Sequence, residues 1–265
     1  FGAYDFYRTA KKHGIKPVIG LEAYVTPGTS RRDRSRVTWG SPAQKDDDVS
    51  ARGSYTHMTM WAENNTGLHN LMRLGSRASL EGQWGKWPRV DRELLQEYAP
   101  GLIATTGCPS GEVQTRLRLG QYGEAIAAAA EFRDIFGADN FYVEVMDHGL
   151  EIEKRVMPDL LKIAKELKLP LLATNDSHYV SPVDVDTHAA LLCLQSGKTL
   201  SDPDRFKFDA ESFYIRPAAE MRQWAGDLPG AMENTLLIAE RCDVSFVTAA
   251  EGANYMPRFP VPAGE

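Results

Sequence analysis

The stretch Leu171-Leu172-Ala173-Thr174-Asn175-Asp176-Ser177-His178 joins a short apolar run to an acid and an imidazole. Residues 169–173 read as a buried strand. Asp176 and His178 are two apart, so an extended backbone carries both to the same side. A carboxylate and an imidazole leaving a strand end together can bind a divalent cation. The alternative is a plain strand-to-loop exit, with Asn175 and Asp176 there because they tolerate turns.

The same grammar recurs outward from this stretch. Just upstream, Ile152, Val156, Leu160, Ile163, Ala164 and Leu167 repeat at helical spacing. Before them a strand over 141–146 ends at Asp147-His148-Gly149, read either as a contact near the site or as a polar strand exit. A helix over 121–136 places Ile126, Ala129, Phe132 and Phe136 on one face. It follows a strand over 101–106 that runs into Gly107-Cys108-Pro109-Ser110-Gly111. Cys108 is there a small apolar filler or a soft metal ligand. Nearer the start, a helix over 4–13 ends at Gly14, a strand over 17–25 carries Glu22, and a strand over 55–62 carries His57.

A glutamate inside an apolar strand is costly unless it is paired, metal-bound or turned outward on an edge. A lone strand histidine is a hydrogen-bonded core residue or a ligand. Thr66 caps a helix carrying Leu68, Leu71, Met72 and Leu74, and a further helix lies near 91–98. His13, His69 and His188 fall in helical patterns and are given no role. Arg116 and Arg118 follow the Cys108 turn, as solvated surface or as phosphate contacts. Residues 27–54 form a long polar loop with the run Asp46-Asp47-Asp48, either an ordered excursion or a flap. Alternating strands and helices, with ligand-type residues near strand exits, predict an α/β chain of β/α-barrel type.

The 265 residues can bury a sizeable core, and the composition, 43% hydrophobic and 25% charged, is ordinary for a globular protein. The formal charge of −6 argues against a protein built only to hold DNA. The sequence shows neither a membrane-length apolar run nor a secretory signal, and its three scattered cysteines suit a reducing compartment. A P-loop, a Gly-x-Ser-x-Gly elbow and a His-Glu-x-x-His motif are all missing from it. The opening Phe1-Gly2 and the closing Pro257-Arg258-Phe259-Pro260-Val261-Pro262 lead to the expectation of an internal fragment.

Several longer runs carry a family resemblance: Gly14-Ile-Lys-Pro-Val-Ile-Gly-Leu-Glu22-Ala-Tyr24, Thr105-Thr-Gly-Cys108-Pro-Ser-Gly111 and Ala173-Thr-Asn-Asp176-Ser-His178-Tyr179. Further matches lie at 195–208, Glu220-Met221, Asn234-Thr-Leu236, Ala239-Glu-Arg241 and 257–262. Together they resemble the polymerase-and-histidinol-phosphatase (PHP) domain of bacterial replicative, C-family DNA polymerase III alpha subunits.

The resemblance implies a distorted (β/α)7 PHP barrel, here lacking its first strands, over residues 1–196. Residues 197–265 would then be the connector into the polymerase palm region, with Phe206, Phe208, Phe213 and Tyr214 packing the junction. It also implies a cluster of divalent metal ions (zinc, manganese or iron) on Glu22, His57, Cys108, Asp176 and His178, with Asp176 and His178 the catalytic pair. Further ligands of the family pattern would lie upstream of Phe1. The implied activity is 3′–5′ exonuclease proofreading within a DNA-directed DNA polymerase that itself uses magnesium. The segment alone would be inactive. The implied partners are primer-template DNA and its 3′ ends, and replisome subunits such as the sliding clamp. The implied location is the cytoplasm. Two other readings stay open: a non-catalytic, metal-clamped module of the polymerase, and a stand-alone phosphatase such as histidinol phosphatase, against which residues 197–265 argue.

Overall fold

Alternation of buried and half-exposed side chains sets the first two long strands. The structure, a computed structural model, describes residues 2–47, 51–254, 256 and 260. The Asp run in part, and most of the 257–262 run, lie outside the described residues. Helix α1 (Ala3–Lys12) precedes β1 (Gly20–Val25). In β1, Ala23 and Val25 face the core, while Glu22 and Tyr24 occupy the other face. Strand β2 (Thr56–Ala62) buries Thr56, Met58, Met60 and Ala62 and leaves His57 half-buried on the opposite side.

Helix α2 (Asn65–Glu81) follows. Its N-cap is Asn64, whose side chain accepts the Gly67 amide, and not the expected Thr66. Asn64 takes the cap because its backbone is extended, whereas Thr66 is already helical. A tight hairpin, β3 (Gln83–Trp84) and β4 (Trp87–Val90), follows in a Trp-rich segment. Helix α3 (Arg92–Tyr98) and strand β5 (Leu102–Thr105) come next, then α4 (Glu112–Arg118) and α5 (Tyr122–Phe136). Strand β6 (Phe141–Val145), helix α6 (Glu151–Leu167) and strand β7 (Leu171–Ala173) complete the alternation.

The strands form one mixed seven-stranded sheet in the order β3-β4-β1-β2-β5-β6-β7. The fold is α/β, as the alternation predicts. The parallel β/α grammar holds for β5, β6 and β7, which are buried on both faces. Strand β2, in contrast, is antiparallel to both β1 and β5. The main core packs α2, α3, α5 and α6 against the sheet.

The segment after α7 (Val185–Ser196) is tied into the same body. Ala225, Ala231 and Val244 belong to the main core. On the far face of the sheet, Ile103, Tyr142 and Leu172 meet Ile238 and Cys242 from α9 (Glu233–Arg241) and its C-cap, beyond α8 (Ala218–Ala225). The edge of β7 is satisfied by the same segment: Ala173 donates to the Ala231 carbonyl at 3.0 Å, and the Asn234 amide to the Leu171 carbonyl at 2.7 Å. Of the four aromatics expected to pack here, Phe213 is buried and Phe208 and Tyr214 are half-buried, while Phe206 is exposed.

The polar loop is an ordered excursion through its described part. Arg31, 2% exposed, donates to Asp91, Glu81 and Glu93 at 2.6–3.0 Å. Buried Arg89 donates to the carbonyls of Arg31, Asp33, Ser54 and Gly82. Two buried guanidiniums thus satisfy acids and loop carbonyls that would otherwise be stranded.

Candidate metal centre

The β1–β2 register sets the first contact. Tyr24 stands opposite His57 and Glu22 opposite Thr59, so Glu22 and His57 are diagonal neighbours on one face. His57 Nδ1 lies 2.7 Å from Glu22 Oε1. Tyr55 stacks parallel to the His57 ring at 5.7 Å and fixes its plane.

Cys108 is delivered by the turn after β5. Gly107, at φ 81°, sits so close to β2 that a Cβ would stand 2.6 Å from the His57 carbonyl. The amide of His57 in turn donates to the Ser110 carbonyl. This close approach, open only to glycine, places Cys108 Sγ 3.5 Å from His57 Nδ1. One ligand atom from each of Glu22, His57 and Cys108 lies within 4.8 Å of the others, a group able to hold a metal ion.

Asp176 and His178 come from the exit of β7 and lie outside that tight group, but their charges reach it. Asp176 acts on both Cys108 and Glu144, and His178 on Glu22. The backbone between them is not extended as the sequence suggested. Asp176 has φ 41°, a left-handed turn that acids tolerate. The turn is held by Asn175, whose amide donates to the Ser212 and Tyr214 carbonyls at 2.9 and 2.7 Å. Within it, His178 Nδ1 donates to the Asp176 carbonyl at 2.6 Å, which leaves Nε2 as the ring atom free to ligate.

The electrostatics are those of an anion cluster. The hydrogen bond from His57 holds the Glu22 carboxyl below its usual value. Burial pushes Asp176 up, aided by the charge of Glu22. Burial, with the nearby carboxylates of Asp176, Glu22 and Glu144, pushes the Cys108 thiol far up. Burial also pushes the Tyr55 phenol to about 12. Such a set is uncomfortable alone and suited to a divalent cation, whose charge favours the anionic form of Asp176 and Cys108 against the upward push of burial and adds to the lowering of Glu22.

Three residues near the site were missed, left open or given no role. Buried Glu144, on β6, accepts hydrogen bonds from Thr105 and Thr174, and burial raises its pKa. Its only sequence signal is an acid at the centre of an apolar strand, Phe141–Val145, the same signal as Glu22. His148 is buried and stacks on Phe213 at 4.0 Å. Its Nδ1 lies 2.6 Å from Glu153 and its Nε2 donates to the Asn175 carbonyl at 2.9 Å, one residue before Asp176. His188, assigned no role from the sequence, lies 5.6 Å from the His178 ring.

Arg116 and Arg118 are not plain solvated surface: the first is half-buried and the second buried. Arg118 is buried and donates to the Pro109 carbonyl, bracing the Cys108 turn. Arg116 lies over the Trp39 ring at 4.4 Å and donates to Gln121. The loop residue Trp39 covers α4 and draws Arg116 away from water.

The chain is 60% identical along its whole length to the DNA polymerase III subunit alpha of Mycobacterium leprae (strain TN). It is 59% identical to that of Mycobacterium tuberculosis (strain ATCC 25618 / H37Rv) and 41% to that of Thermus aquaticus. It spans 22%, 22% and 21% of the length of those three proteins. The family model of the PHP domain matches residues 1–148, a range that holds Glu22, His57 and Cys108 and stops before Asp176 and His178. With more than half of its length matched, the chain belongs to the PHP domain family.

Proposed function

We propose that this chain is the PHP region of a DNA polymerase III alpha subunit and that Glu22, His57, Cys108, Asp176 and His178 hold a divalent metal cluster. The observation that carries the reading is the convergence of Glu22, His57 and Cys108 within 4.8 Å, beside the Asp176–His178 turn. The mixed O, N and S donors favour zinc, manganese or iron over magnesium. When bound, such ions supply a hydroxide near neutral pH and neutralise phosphate oxygens. The chain's own residues would hold the ions, with Asp176 and His178 nearest the reacting phosphodiester and Asn175 fixing their turn.

The reaction proposed is 3′–5′ phosphodiester hydrolysis at a mismatched DNA end, within a polymerase that extends primers with magnesium elsewhere. Residues 197–265 are taken as the connector toward the polymerase palm, packed back on β7. The partners are DNA 3′ ends and other replisome subunits, and the location is the cytoplasm. Among the described residues, no helix is long and apolar enough to cross a membrane.

A second reading has its own support. The candidate ligands come from β1, β2, the β5 exit and the β7 exit, so a bound ion would also tie the sheet together as a clamp. The deciding experiment is Asp176→Asn in the full-length protein, with metal content, mismatch excision and melting measured together. Excision lost with melting kept supports hydrolysis. Excision unchanged in a folded variant removes it.

A further inference from the structure

Next to the candidate metal centre, α7 and the segment 205–211 enclose a cavity of about 330 Å³. Its size falls at the lower end of small-molecule sites. Its walls are aromatic on one side: His188 lies 5.1 Å from Phe208 and 5.2 Å from Tyr179. The same aromatic group is continuous with the metal centre. The His178 ring meets Phe208 edge-on at 4.7 Å and His188 at 5.6 Å. The Tyr179 hydroxyl is already spent on the Glu211 carbonyl, so that residue offers the cavity mainly its ring.

The cavity also holds cations. Arg205 donates through Nε to the Leu200 carbonyl, while its buried Nη1 has no partner among the described residues. A buried guanidinium nitrogen without an acceptor is costly and marks where a ligand oxygen belongs. Lys207 lines the same wall. Three acids, Asp186, Asp209 and Glu211, complete the lining and outnumber the two cations. The site therefore suits a flat ring with little negative charge, and disfavours a polyphosphate.

We propose that this cavity receives the terminal nucleotide of a DNA strand, with the base against Phe208 and His188 and a sugar or phosphate oxygen on Arg205. The proposal rests on the hydrolytic reading of the adjacent centre, since a phosphodiester at His178 brings the terminal base to this wall. Aromatic stacking is tolerant of base identity, as removal of arbitrary mismatched ends demands.

The test uses the full-length protein. Binding of deoxythymidine 5′-monophosphate is measured by ligand-observed NMR with the metal chelated, so that it does not depend on catalysis. Excision of a mismatched 3′ end is followed in parallel with metal present. Wild type binds the monophosphate. Phe208→Ala and Arg205→Gln each weaken monophosphate binding about tenfold and raise the KM of excision by a similar factor, with metal content unchanged. Phe208→Trp retains binding, which separates stacking from fold. Arg205→Gln lies away from the core and serves if Phe208→Ala melts early.

Monophosphate binding that is absent from wild type, or equal in wild type and Arg205→Gln, overturns the proposal. Phe208-dependent monophosphate binding without any excision keeps the cavity and removes the hydrolytic reading. Normal excision with unchanged KM in both variants removes the cavity and leaves that reading standing.

Discussion

At the scale of single residues, Asp176 is the most informative position to change. Asparagine tolerates the left-handed backbone at φ 41° as well as aspartate does, so Asp176→Asn removes charge with little strain. We expect excision by the full-length protein to fall by orders of magnitude, with kcat and kcat/KM falling together, and bound metal to decrease. Metal content by elemental analysis beside excision kinetics checks it. His148 supports the same turn from below. His148→Ala leaves the Glu153 carboxylate buried against an empty site and frees the Asn175 carbonyl. Breaking a buried pair of this kind costs about 3–5 kcal/mol. Urea denaturation should show that loss, and His148→Ala, Glu153→Ala together should lose less than the sum of the two single changes.

At the scale of elements, the turn after β5 and the polar loop each depend on one feature. Gly107→Ala meets the His57 carbonyl at 2.6 Å and a φ of 81°, so β2 and the turn must part. The expected cost is about 1–3 kcal/mol, and Cys108 moves off His57. A fall in both melting temperature and metal affinity checks it. A stability loss without any loss of affinity would show that the close approach serves the fold alone.

Where the loop meets the end of α2, Arg77 and Arg31 hold Glu81 down to about 2. Its folded-state pKa is lower than its unfolded one, so its contribution is present above the ordinary carboxylate range and fades as pH falls from about 4.5 toward 2. Wild type should melt above Glu81→Gln at pH 7, and the gap should close over that acid window. A gap that persists at pH 2 would assign the effect to packing.

At the scale of the whole molecule, the candidate centre joins elements distant in sequence. An ion bound only by the folded state stabilises it by mass action, about 2.7 kcal/mol at a free concentration one hundred times Kd. Chelation should therefore lower the melting temperature of wild type and leave that of Asp176→Asn nearly unchanged. If Asp176→Asn lowers melting, excision and primer extension in parallel, the clamp reading prevails over the hydrolytic one. The seating of α9 on Ile103, Tyr142 and Leu172 makes a related point. Removing residues after 230 should expose that face and destabilise the sheet, so the segment cannot be trimmed away to isolate the centre.

Local chemistry made much of this protein legible from the sequence alone. Runs of strand-type residues marked β1 and β2, helical spacing marked α5 and α6, and the apolar run 171–173 followed by Asn-Asp-Ser-His marked a strand exit with ligand chemistry. These are short-range patterns, because a side chain's face is set by the backbone period. Periodicity carries no information about which strand pairs with which, or in what direction. Only the tertiary structure set β2 antiparallel and so brought Glu22 to His57, and only the Gly107 approach brought Cys108 to both. It likewise took Arg116 and Arg118 out of solvent, turned the Asp176 backbone left-handed through Asn175 and its contacts 37 and 39 residues away, and set His188 beside His178. Each of these outcomes depends on partners far along the chain, which no local window contains.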